Sequence, residues 1–201
     1  MTQTMPIYLA SASPRRREIL AQLGVDFEVC VSDADESITE NDPGRIVETL
    51  AERKAGAVFA EIADGDAVVL GSDTVVAKDG EVLGKPKDAA DAASMLRKLS
   101  ADTNTVYTGV CIMMRRCGKT VKSVFHCAAD VAFAEMSDAE IDWYVGTGEP
   151  MDKAGAYAVQ GLGGRFVRSI HGDYYTVMGL PMQKVYETLR KFGVLLDDSD
   201  S

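Results

Sequence analysis

The chain has 201 residues, 46% of them hydrophobic and 26% charged, which is enough apolar material for one sizeable core; we read a single domain over residues 1–195 and an acidic tail over 196–201. Its formal net charge of -10 argues against a general nucleic-acid binder, because such proteins neutralise phosphates with clustered Lys and Arg. No run reaches the roughly 18 apolar residues of a membrane span, and no basic segment precedes a long apolar run at the N-terminus, so a cytoplasmic protein with no membrane partner is expected.

Ile7-Tyr8-Leu9-Ala10 is a short buried-strand pattern. Ser11-Ala12-Ser13 leads from it into a helix striped by Ile19, Leu20 and Leu23, with Ser13 as cap, Pro14 in the first turn and Gly24 as stop. Phe27 to Val31 reads as the next strand, and after an acidic loop the spacing of Ile46, Val47, Leu50 and Val58 predicts a helix from Pro43 to Glu61. A strand from Ala67 to Leu70 ends at Gly71-Ser72-Asp73-Thr74, and Lys78-Asp79-Gly80-Glu81 is a hairpin turn between Val75-Val76 and Val82-Leu83. Asp88 caps a helix reaching Leu99, and two long β segments flank the turn Arg115-Arg116-Cys117-Gly118. Ser137-Asp138-Ala139-Glu140 is a capping box opening a short helix through Tyr144. A Gly-rich section over 155–164, a strand near Phe166 to Ile170, and a helix from Pro181 to Phe192 closed by Gly193 follow. Strands alternating with helices, plus a long hairpin, indicate an α/β domain with a mixed sheet. Cys30, Cys111, Cys117 and Cys127 form no CxxC pair and only two histidines accompany them, which points to reduced, mostly buried thiols rather than zinc.

The charge placement in Ser11-Ala12-Ser13-Pro14-Arg15-Arg16-Arg17 is unusual. A helix N-terminus already carries unpaired N–H groups and partial positive charge, so each exposed cation there costs about 0.3–1 kcal/mol. Three arginines make sense if an anion sits among them, and a polyphosphate would satisfy the N–H groups, the Ser11 and Ser13 hydroxyls and the guanidinium forks together. The alternative is a solvated helix start whose arginines pair with nearby acids. Asp73, at the end of a buried strand, is a candidate general base or metal ligand, or else a loop-capping aspartate. Lys85, in the rigid Gly84-Lys85-Pro86 turn, could reach phosphate oxygens. The run Asp33-Ala34-Asp35-Glu36 could supply oxygen ligands to a hard cation such as Mg²⁺ or be a solvated loop, and Lys54 is by default an exposed helix lysine.

Six blocks sharpen these readings: Leu9 to Arg16, Gly71 to Val75, Gly84-Lys85-Pro86, Thr108-Gly109-Val110, Asp152 to Tyr157, and Gly172 to Tyr175 with Gly179-Leu180-Pro181. In order and spacing, over nearly the whole chain, they resemble the Maf family of nucleoside triphosphate pyrophosphatases. The resemblance implies an elongated mixed β-sheet flanked by helices, similar to the inosine-triphosphatase fold, with two lobes around a substrate cleft and a homodimeric state. It implies hydrolysis between the α and β phosphates with a divalent metal, Mg²⁺ or Mn²⁺. By motif match Asp73 is the proton acceptor; Arg15, Thr74 and Gln160 take part in substrate choice; Glu36, Lys54 and Lys85 are charged site positions, and Glu36 and Asp73 are the two candidates for direct metal ligand. Arg16 joins Arg15, Lys54 and Lys85 in absorbing developing charge. Gln160 offers a donor and an acceptor, matching N3–H and O4 of uracil or thymine, so UTP and dTTP are the expected substrates. Two positions depart from the pattern: Ala101 and Asn104 stand where the family commonly has glycine and histidine, which puts turn geometry rather than chemistry in question.

Three rivals make distinct predictions. A 7-methyl-GTP pyrophosphatase of the same family differs in base. A haloacid-dehalogenase-type phosphatase would form an aspartyl-phosphate on Asp33, although Ser37 fits that motif poorly. A nucleotide-binding regulator of cell division would bind a triphosphate without cutting it.

Overall fold

The computed structural model describes residues 1–31, 33–62 and 65–196; of the acidic tail read over residues 196–201, residues 197–201 lie outside them, and Leu196 belongs to a strand rather than to a tail. After a two-residue strand β1 (Thr2–Gln3), the apolar run becomes strand β2 (Ile7–Ala10), followed by helix α1 (Pro14–Gln22). Pro14 sits in the first turn, where its missing N–H costs no helical hydrogen bond, and Gly24 takes φ +75° just beyond the end. Ser13 occupies the cap position, but its hydroxyl makes no capping hydrogen bond. Strand β3 (Phe27–Val29) stops short of the expected Val31. Helix α2 (Pro43–Glu61) starts where Asp42 accepts from the Arg45 N–H, and it buries Ile46, Val47, Leu50, Ala51, Ala55 and Val58 along one stripe.

Strand β4 (Ala67–Lys78) departs most from the sequence reading, because it runs straight through Gly71-Ser72-Asp73-Thr74 instead of ending there. The cause is strand β6 (Thr103–Arg116), which pairs antiparallel with it without a break from Ala67↔Arg115 to Ala77↔Thr105. Strand β5 (Glu81–Leu83) returns along β4 through a tight turn with Asp79 at φ 52° and Gly80 at φ +78°, both in the left-handed region that such two-residue hairpins require. Helix α3 (Ala89–Leu99) is capped by Asp88, strand β7 (Lys119–Phe133) completes the long hairpin with β6, and helix α4 (Asp138–Gly146) opens with both halves of the expected capping box. Three 3₁₀ turns carry the chain over residues 149–166 to strand β8 (Val167–His171). Helices α5 (Tyr174–Met178) and α6 (Met182–Lys191) and strand β9 (Leu195–Leu196) follow, β9 pairing with β1.

The main sheet has the order β3-β2-β4-β6-β7-β8, with β5 attached to β4. Strand β2 is parallel to β3 and β4, and the other pairings are antiparallel, so the chain is a mixed α/β sheet flanked by helices. Along one face of β4, Val68 and Leu70 enter a core shared with α1 and α6, while Val76 enters a second core shared with α3 and α4. Between them the same face presents Ser72 and Thr74, and β6 presents Thr108. Two apolar clusters are thus separated by a belt of hydroxyls. At Ala101, φ 57° places a residue with a Cβ in the left-handed region, a strain of about 1–2 kcal/mol that glycine would not carry. Asn104 is buried but satisfied: its amide donates to the Val131 carbonyl at 3.1 Å, and it accepts from the Tyr157 hydroxyl at 3.0 Å.

Candidate active site

Strand β2 pairs with β4 only as far as Ala10↔Gly71, and β5 joins the same side of β4 only from Val76↔Leu83. Among the described residues, Ser72 to Val75 therefore have no neighbouring strand on that side, while β6 holds them on the other. A cleft of about 710 Å³ opens at this notch. The end of β2 and the start of α1 bring Ser11, Ser13, Arg15 and Arg16 to it, and the turn after β5 brings Lys85. Strand alternation sends Asp73 and Thr74 to opposite faces of β4, yet both line the cleft. Glu36, Lys54 and Gln160 complete it, so the residues to which the resemblance gives a site position lie along one cavity, whereas Arg17, Asp33 and Asp35 are not among its lining residues.

Lys54 reaches Asp73 because α2 lies almost against the sheet. A Cβ on Gly71 would stand 2.4 Å from the Ala51 carbonyl oxygen, and one on Gly109 would stand 2.2 Å from the Val47 carbonyl oxygen. Only glycine at both positions lets the helix backbone approach so closely. The Lys54 ammonium then lies 2.6 Å from Asp73 Oδ1 and 2.8 Å from Glu36 Oε1. Lys54 and Asp73 are mostly buried, whereas the Glu36 side chain is 64% exposed on its loop. The hydrogen bond from Lys54, reinforced by the charges of Lys54, Lys85 and Arg16, holds the Glu36 carboxyl below the usual glutamate range despite some burial.

Arg16 spans the hydroxyl belt. Its Nε donates to the Gly179 carbonyl at 2.9 Å, one terminal nitrogen to Ser11 Oγ and the other to Thr74 Oγ1, both at 3.2 Å. Thr74 Oγ1 is hydrogen-bonded to Thr108 Oγ1 at 2.9 Å, and Thr108 donates to the Thr176 carbonyl. Arg16 is thus a tie across the site, with guanidinium N–H groups remaining from its five. Burial pushes the Arg15 and Arg16 pKa values down; Asp152, Glu149 and Glu18 partly offset this for Arg15, and Asp73 does so for Arg16. Desolvated guanidiniums at a cleft favour an arriving anion, which restores the charge partners that water no longer provides.

Several expectations need correction. Asp73 lies in mid-strand, and the crevice arises because β2, not β4, ends beside it. Arg17 is exposed and is not among the cleft's lining residues, so the anion seat has two arginines rather than three. Of the four free cysteines only Cys111 is buried, with its thiol pushed up to about 12 by desolvation; Cys117 is exposed. Asp33 is exposed and does not line the cleft, which removes the geometric basis for an aspartyl-phosphate there. Asp152 and Lys153, an ion pair in the cleft, and Tyr157 and Gly179, which also line it, have no role that is evident from sequence. Their only signal was membership of the Asp152 to Tyr157 and Gly179 blocks. With Lys153 included, the lining cations Arg15, Arg16, Lys54, Lys85 and Lys153 outnumber the carboxylates Glu36, Asp73 and Asp152, a local excess of positive charge on a chain of net charge -10.

The sequence profile of Maf-like proteins matches residues 6–192. The chain belongs to the Maf-like family. Its relatives include proteins named dTTP/UTP pyrophosphatase. The one from Anaeromyxobacter dehalogenans is 50% identical, covering 93% of this Maf-like chain and 94% of the relative. That from Desulforamulus reducens is 48% identical over 94% and 97%, and that from Agathobacter rectalis is 43% identical over 94% and 98%. Among the described residues of this Maf-like chain, no helix is long and apolar enough to cross a membrane.

Proposed function

We propose that this chain hydrolyses dTTP and UTP to the nucleoside monophosphate and pyrophosphate. The observation that carries the reading is the Lys54 ammonium held between Asp73 and Glu36 at an open notch of the sheet, facing Arg15, Arg16 and Lys85. The triphosphate tail lies among these cations, the Ser11 and Ser13 hydroxyls and the start of α1. Asp73 orients a water and accepts its proton as the water oxygen bonds to the α-phosphorus; the bond from that phosphorus to the bridging oxygen breaks, and pyrophosphate leaves with the electron pair. Lys54 fixes the Asp73 carboxylate in place, and the fixed cations stabilise the charge that develops on the phosphate oxygens. Arg15 and Thr74 act in substrate choice, and Gln160 pairs with N3–H and O4 of the pyrimidine.

The resemblance also implies Mg²⁺ or Mn²⁺. The donor types fit: Asp73 and Glu36, both bonded to the Lys54 ammonium, offer the hard carboxylate oxygens that these ions take up. Among the described residues no cluster of three His, Cys, Asp or Glu is suited to a metal, so substrate phosphates and water would supply the other positions, as is usual for Mg²⁺. When bound, the ion adds charge neutralisation at the phosphates. A cytoplasmic homodimer completes the proposal, supported by the resemblance alone and checked by sedimentation of the purified protein.

The test is a panel of common and modified triphosphates with Mg²⁺ or Mn²⁺, quantifying monophosphate and pyrophosphate together. Equal amounts of both, with UTP and dTTP turned over fastest, are expected. A preference for 7-methyl-GTP, release of inorganic phosphate, or binding of UTP without turnover would each replace this reading with one of its rivals.

A further inference from the structure

Gln160 sits in a turn whose backbone is held by two side chains from outside it. Glu149 accepts hydrogen bonds from the Leu162 N–H at 2.9 Å through Oε2, and from the Gly163 N–H at 3.0 Å and the Tyr144 hydroxyl at 2.8 Å through Oε1. The same Tyr144 hydroxyl accepts from the Ala158 N–H at 3.1 Å. Residues on both sides of Gln160 are therefore anchored to one carboxylate–phenol pair. The contact is also steric: a Cβ on Gly161 would lie 2.4 Å from Glu149 Oε2, and one on Gly163 would lie 2.4 Å from the Tyr144 hydroxyl oxygen. Tyr144 is fully buried in the core next to α3, so the anchor is fixed to a rigid part of the molecule. Partial burial works against the Glu149 charge, but the two backbone donors, the Tyr144 hydroxyl and the nearby Lys153 outweigh it and keep its pKa below the ordinary value.

We propose that Glu149, acting with Tyr144, is a positioning residue that sets where the Gln160 amide meets the base, and so determines pyrimidine selectivity without touching the nucleotide. The inference rests on the reading of Gln160 as the base-contacting residue. A hydrogen-bonding amide discriminates between bases only while its donor and acceptor stay in register with the base edge. Glu149→Gln keeps the size and one acceptor oxygen but turns the other oxygen into a donor, which faces the Leu162 N–H or displaces the rest of the network. Tyr144→Phe keeps the ring and removes only the hydroxyl.

The experiment separates the base side of the cleft from the phosphate side by using UMP and inorganic pyrophosphate as probes, with calorimetry for the first and inhibition of UTP turnover for the second. Loss of a charge-assisted hydrogen bond is expected to weaken UMP binding about tenfold in Glu149→Gln, with a smaller loss in Tyr144→Phe. Inhibition by pyrophosphate is expected to be unimpaired in both variants, and the preference for UTP over GTP is expected to fall. Gln160→Ala is the reference. If it leaves UMP binding unchanged, the reading of Gln160 fails and takes this inference with it. If Gln160→Ala weakens UMP while Glu149→Gln and Tyr144→Phe do not, only the inference falls. Parallel weakening of UMP and pyrophosphate in Glu149→Gln would mark a general loss of structure and would also overturn it.

Discussion

Asp73 and Glu36 share one ammonium, and neither carboxylate could be assigned a partner from sequence, because Lys54 lies 19 residues from Asp73 on a different element. Asp73→Asn keeps the shape of the side chain and removes its capacity to take a proton. Pyrophosphate release from UTP should then fall about 10²–10⁴-fold, while UMP binding stays near the parent value; turnover within tenfold of the parent would remove Asp73 from the chemistry. The residues of this site were legible as a set because strand ends, helix starts and basic turns each carry recognisable residue types. Their division of labour was not. Arg16 reads like Arg15 in sequence, yet it is spent largely on holding Gly179, Ser11 and Thr74 together. Likewise Lys54 looks like a solvated helix lysine until α2 is seated on two glycines.

The seating of α2 on β4 and β6 is the element-scale feature that builds the site. Gly109→Ala would drive a Cβ to within 2.2 Å of Val47 O and 2.7 Å of the Glu48 nitrogen, both backbone atoms that a rotamer change cannot move. The helix must lift. Overpacking of this kind costs about 1–3 kcal/mol, or roughly 2–12 °C in thermal midpoint for a chain of this size, and turnover should fall with it as Lys54 moves from Asp73. Gly56, in the same helix, has nothing within 4 Å of its would-be Cβ, so Gly56→Ala should stabilise by about 0.5–1 kcal/mol through helix propensity alone. Scanning calorimetry of the two variants checks both signs; equal effects would refute the close-approach argument. Strand β4 teaches a related lesson. The polar Gly71-Ser72-Asp73-Thr74 run reads as a loop from local composition, but an uninterrupted partner strand supplies the backbone hydrogen bonds that keep it extended.

On one face of β4, two apolar cores lie on either side of the hydroxyl belt that Arg16 spans, and the cleft opens there. The carboxylates around this seam contribute to the acid limb of stability. Glu36, Glu149 and Asp152 are each held below the ordinary carboxylate range. For Glu36 the Lys54 hydrogen bond leads; for Glu149 and Asp152 desolvation acts in the opposite direction and is outweighed by backbone and hydroxyl donors in the first case and by Lys153 in the second. A depressed folded-state pKa stabilises the native state fully above the unfolded value and loses that contribution as pH falls through the folded one. The thermal midpoint should therefore stay level with respect to these groups down to about pH 5 and drop below it, and Glu149→Gln should show a shallower drop than the parent. An identical acid limb in both would contradict the Glu149 network.

The sequence by itself determined the alternation of elements, the hairpin turns, the caps at Asp88 and Ser137 and the family, because these depend on neighbouring residues or on the order and spacing of whole blocks. Only the tertiary structure decided that β2 stops beside Asp73 while β4 continues, that α2 carries Lys54 into the notch, and that Glu149 and Tyr144 grip the turn bearing Gln160. Each of these rests on contacts between segments distant in the chain, whose geometry is set by which faces can be buried together and not by any local preference.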